Sequence, residues 1–140
     1  MWWTVGWLLD RGEDPPSIPA YRFLKDLPLN VRVQLLAILE AVQSTGPDQW
    51  ADRHSHCPMK GKLAGLHEIR DKQGEVLYRL FVLWQRAERR VVIVDGREKA
   101  NKTKLKEKEY ETIAELAVRI REDPPPFASI DDFIQAGLRT

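Results

Sequence analysis

Basic residues set inside apolar runs are the chemically suggestive feature of this chain. Arg70 closes the run Gly65-Leu66-His67-Glu68-Ile69-Arg70, and Arg79 lies within Tyr78-Arg79-Leu80-Phe81. Apolar runs of this kind are built to be buried, and a guanidinium there is costly unless it is paired or faces water. Such arginines therefore suggest a sheet surface that faces an anion. Lys60 and Lys62 precede the first run, and Lys99, Lys102 and Lys104 crowd the stretch Asp95–Lys104 ahead of a helical pattern. A polyanion, nucleic acid first of all, is the ligand class these residues imply. Arg79 has a plainer alternative, a cross-strand ion pair with Glu68.

Charge bookkeeping points the same way. Residues 1–59 carry five Lys/Arg against seven Asp/Glu, residues 60–108 fourteen against seven, and residues 109–140 three against seven. A basic middle between two acidic ends is thus hidden by the near-neutral net charge of +1. This asymmetry bears on partners rather than on fold. A solvated, salt-bridged surface would carry the same charges.

The elements that must hold these residues can be read from periodicity. Residues 2–9, rich in tryptophan, suggest a first strand in which Trp2, Trp3 and Trp7 serve core and edge packing. Residues 20–27 suggest a short helix that Pro28 breaks while seeding the next. Over 29–43, Val31, Leu35, Ile38, Leu39 and Val42 fall at helical spacing. Residues 44–58 read as a loop. Three strand-like runs follow at roughly 63–70, 75–84 and 90–95, the first two joined by a turn at Asp71-Lys72-Gln73-Gly74. Residues 105–121 place Tyr110, Ile113, Leu116/Ala117 and Ile120 on one helical stripe. Ser129 and Asp132 are spaced to cap a last short helix.

The order β-α-α-β-β-β-α implies an α+β fold: an antiparallel sheet with two N-terminal helices on one face and a C-terminal helix. The 140 residues suit one domain, with residues 123–140 a Pro-rich C-terminal extension. The apolar start is too short for a membrane span and lacks a signal-peptide pattern, and the single cysteine, Cys57, cannot form an internal disulfide. A cytoplasmic protein without membrane association is expected.

This order, together with Met59-Lys60-Gly61, Gly65-Leu66-His67-Glu68-Ile69-Arg70, Tyr78-Arg79-Leu80-Phe81 and Gly96…Lys99…Thr103, resembles the RelE/HigB-type toxin superfamily over roughly residues 20–121. Its phage-derived HigB-like group is the nearest in pattern. The resemblance implies the toxin of a type II toxin–antitoxin pair, a metal-independent endoribonuclease that cleaves mRNA on the ribosome and is silenced by a separately encoded antitoxin. No cofactor and no metal is implied. RNA can be cut by its own 2′-hydroxyl if cations surround the phosphate and protons are relayed. On this resemblance Arg79, Lys99 and Tyr110 are the catalytic candidates: Arg79 to grip phosphate from a rigid strand, Lys99 to add charge, Tyr110 to act as a base or stack a nucleobase. Arg70, Lys60, Lys62, Lys102 and Lys104 would bind the backbone.

Other readings stay open. The same superfamily includes gyrase inhibitors, and a loop diluted by Glu98 and Ala100 suits an inactive phage-derived remnant that only binds a partner or nucleic acid. Self-association and a toxin–antitoxin hetero-oligomer are both compatible with the chain. His54, His56 and Cys57 offer metal-ligand types, yet ligands so close together rarely wrap one tetrahedral ion, and His67 is the only other histidine.

Overall fold

Alternating apolar residues in three long strands build a sheet with two differently covered faces. The structure, a computed structural model, describes residues 3–8, 19–45, 56–58, 66–100, 106–122 and 127–129. In chain order these form β1 (Thr4–Leu8), α1 (Pro19–Lys25), α2 (Leu29–Thr45), β2 (His56–Pro58), β3 (Leu66–Gln73), β4 (Val76–Gln85), β5 (Arg90–Ala100), α3 (Glu107–Glu122) and β6 (Phe127–Ser129). The six strands lie in the order β2-β3-β4-β5-β1-β6. The α+β class holds, with α1 and α2 on one face and α3 on the other.

The helices are those the periodicity marks. In α2, Val31, Leu35, Leu36, Leu39 and Val42 are buried, and the Arg32 N–H donates to Pro28 O, so the proline stands where a helix needs no donor. With Ala20 and Leu24 of α1 they cover Ile69, Leu80, Val82, Trp84, Val91 and Ile93. On the opposite face, Ile113, Ala117 and Ile120 of α3 pack on Leu66, Phe81, Leu83, Val92 and Val94. Among the tryptophans, Trp7 is core and Trp3 meets Trp84 edge-on at 5.1 Å; Trp2 lies outside the described residues.

Several expectations need correcting. The sheet is mixed, because β1 runs parallel to β5. The β3–β4 turn is Gly74-Glu75 rather than Asp71–Gly74: Gln73 still pairs with Val76, and Gly74 has the φ of +60° that the first place of a II′ hairpin requires. Residues 56–58, expected in a loop, pair with β3. β5 runs on to Ala100, since β4 offers each residue from Asp95 to Ala100 a ladder partner. Ser129 ends β6, which pairs with the open edge of β1 while Phe127 packs beside the α3 cluster. The short helix expected to begin at Ser129 falls on residues 130–140, outside the described residues. The described helices include none long and apolar enough to cross a membrane.

One irregularity sets the phase of β5. Val82 pairs with Ile93 and Phe81 with Asp95, leaving Val94 as the extra residue of a β-bulge. Beyond it, Asp95, Arg97 and Lys99 share the α3 face, whereas Gly96 turns to α1. There a Cβ would fall inside the Phe23 ring. Gly96→Ala should therefore cost about 1–3 kcal/mol in chemical unfolding. In a Phe23→Ala background the same change should be close to neutral. Equal costs in both backgrounds would show that the ring is not what demands glycine.

Candidate nucleic-acid interface

Helix α3 covers only part of its face, and what it leaves uncovered is charged. Arg70, Arg79 and Arg97 stand directly opposite one another on β3, β4 and β5. Like charges in register repel, so this row needs counter-charges. Glu68, only 1% exposed, supplies one. Arg70 Nε donates to its Oε1 at 2.6 Å, and Arg79 Nε lies 3.4 Å from the same oxygen. The plainer reading of Arg79, an ion pair with Glu68, is therefore realised. Asp95, also buried, supplies the second: it accepts from Arg97 Nη1 at 2.5 Å and from the Gly96 N–H at 2.7 Å.

The third carboxylate comes from α3. Glu109 accepts from the Lys106 N–H at 2.8 Å, closing the first turn as the acidic half of a capping box. Its other oxygen lies 3.3 Å from Lys99 Nζ and 3.9 Å from Arg97 Nε. The Lys106 amide, opposed by burial and helped by Lys99 and Arg97, holds the Glu109 carboxyl below its ordinary value. Tyr110, next along, meets Phe81 edge-on at 6.5 Å and is half-buried at the boundary between the α3 cluster and the charges.

The structure thus brings Arg79, Arg70, Lys99 and Tyr110 to one side of the sheet. Their accessibility differs: the Arg70 side chain is 41% exposed, Arg97 and Lys99 are half-buried, and the Arg79 side chain is 9% exposed. Among the described residues, Arg79 Nε has no hydrogen-bond partner, only the nearby Glu68 charge. Lys60, Lys62, Lys102, Lys104 and His54 lie outside the described residues, as do the side chains of His56 and Cys57. No group of three potential metal ligands occurs among the described residues. Sequence reasoning missed Arg97, Asp95 and Glu109. The two-residue alternation Asp95, Arg97, Lys99 was the signal for the first two. Asp95 and Arg97 also border an open groove of about 650 Å³ between α1 and β5, lined by Phe23, Asp26, Leu27 and Glu98.

Fold and site together define a small α+β protein that presents a braced arginine row on a half-covered sheet. The family model described as "Phage derived protein Gp49-like" matches residues 22–117. The chain belongs to that family, which bears out the phage-derived resemblance drawn from its motifs. Among solved structures, the toxin–antitoxin complex RelBE2 from Mycobacterium tuberculosis is similar at 19% identity and a TM-score of 0.44, covering 71% of this chain and 100% of that one. No curated protein matches the chain.

Two predictions follow from the ion pairs. Glu68→Gln leaves two guanidinium groups short of a counter-charge, one of them buried. It should cost about 3 kcal/mol, and much less in an Arg79→Met background. Denaturant unfolding of the four proteins checks this; a cost unaffected by Arg79 would remove the pairing argument. The depressed Glu109 carboxyl carries a pH signature. Its stabilisation is fully present above the unfolded-chain value of about 4.3 and is lost as pH falls through the lower folded value. The stability gap between wild type and Glu109→Gln should hold steady above about pH 5 and close below about pH 4. A gap that stays constant through acid would mean that the charge contributes nothing.

Proposed function

We propose that the chain is the toxin of a type II toxin–antitoxin pair, cleaving mRNA on the ribosome without a metal and silenced by a separate antitoxin. The observation that carries this reading is the row Arg70-Arg79-Arg97 with Lys99 beside it, on a sheet face that α3 leaves open. Cleavage by the 2′-hydroxyl passes through a crowded, doubly charged phosphate, and fixed guanidinium and ammonium groups stabilise that charge where it develops. Arg97 and Lys99, half-buried side by side on β5, are the cations assigned to this work. Arg79 anchors the row from a buried stem, and Arg70, together with Lys60, Lys62, Lys102 and Lys104, steadies the RNA backbone. Tyr110, at the edge of the charged patch, would stack a base or take the 2′-hydroxyl proton. Family membership supports the reading, since the motifs that resemble phage-derived toxins fall within the matched span.

The carboxylates beside each cation favour a second reading, a family member that binds nucleic acid or a partner without cutting. Induced expression in a heterologous bacterium separates the two. Wild type should arrest growth and produce new mRNA 5′ ends inside coding regions. Arg97→Ala, folded by circular dichroism, should lower cleavage by about 10²–10³-fold. Arrest without new 5′ ends would redirect the reading to another target such as gyrase. Soluble, folded wild type without arrest would leave the binding protein as the better account.

A further inference from the structure

The three carboxylates of the charged face are not equivalent. Glu68 and Asp95 are buried in the sheet and braced by strand geometry. Glu109 projects from the first turn of a helix, with its side chain 22% exposed. Around it converge the Lys106 N–H at 2.8 Å, Lys99 Nζ at 3.3 Å and Arg97 Nε at 3.9 Å. Three donors of this kind, two cationic and one a backbone amide at a helix start, form an anion site by any chemistry. A carboxylate satisfies it, and a phosphodiester, with one negative charge shared by two non-bridging oxygens at similar separation, would satisfy it as well.

We propose that this corner is the seat of one backbone phosphate of single-stranded RNA, and that Glu109 fills it as an internal substitute until the phosphate displaces it. The proposal rests on the preceding reading that the face meets RNA. When Glu109 rotates out, Arg97 keeps Asp95 through Nη1 and still offers Nε, while Lys99 loses its counter-charge. The arginine row stays braced throughout, because Glu68 and Asp95 do not move. Glu109 therefore sets affinity without setting the fold, and it discriminates against weakly charged ligands that cannot displace it.

The test uses the full chain and a fluorescent single-stranded RNA bearing 2′-O-methyl groups, which cannot be cut by 2′-hydroxyl attack. Glu109→Gln keeps an acceptor for the Lys106 N–H but removes the charge. It should unfold within a few degrees of wild type and bind the oligonucleotide about fivefold more tightly, the scale of one exposed ion pair. Lys99→Gln, half-buried at its own position, should weaken binding. Unchanged or weaker binding by folded Glu109→Gln overturns the proposal, as does binding that Lys99→Gln leaves untouched. Cleavage of unmodified mRNA is scored separately. Cleavage without the affinity gain removes the gate and keeps the nuclease; the gain without cleavage removes the nuclease and keeps the anion site.

Discussion

Glu68 is the residue on which the charged face depends. The register of β3, β4 and β5 places three guanidinium groups side by side, an arrangement that strand pairing alone would oppose. A buried carboxylate one pleat away lets Arg70 and Arg79 coexist, and Asp95 does the same for Arg97. Burial is what gives these anions their leverage, since a charge pair held away from water interacts more strongly than one at the surface. The desolvation cost of such pairs is repaid only when the geometry is close to ideal. The sheet supplies that geometry by setting Arg70 two residues from Glu68 on β3 and Arg97 two residues from Asp95 on β5, each pair on one face, with Arg79 reaching Glu68 from the adjacent strand.

The rest of the molecule can be understood as support for this arrangement. Helices α1 and α2 cover much of one face with aliphatic and aromatic side chains, so the sheet has a core that asks little of its other side. Helix α3 buries a smaller patch there and stops. Where it stops is decided by its first turn: Glu109 caps the helix and reaches β5 with the same carboxylate. One side chain therefore ends the apolar cluster and begins the charged one, with Tyr110 and Phe81 on the dry side of the line.

Much of this was legible from local pattern. The stripe Val31, Leu35, Leu39, Val42 and the stripe Ile113, Ala117, Ile120 are the buried faces of α2 and α3, because helical periodicity and burial are the same fact. Arg70 and Arg79 were conspicuous as cations in apolar strands. What escaped was non-local. β2 and β6 are three residues each and exist only through the neighbour that pairs with them. The parallel placement of β1 beside β5 leaves no local trace. Gly96 and its charged neighbours resemble a loop, yet β4 holds them extended. Arg97 and Glu109 joined the site through strand phase and helix docking, neither of which spacing alone reveals.

The bulge at Val94 has an evolutionary reading. Up to that residue the even-numbered positions of β5 face α3; after it the odd-numbered ones do. Loss of the Val94 codon would close the bulge and restore simple alternation with Asp95 still opposite Phe81, so Arg97 and Lys99 would keep their face. Had the extra residue been drawn into the ladder instead, Gly96 and Glu98 would stand where Arg97 and Lys99 now do, and the charge of the face would reverse. The bulge thus absorbs a one-residue change in length between the apolar and the charged halves of the strand, and a relative with a β5 one codon shorter can present the same cations.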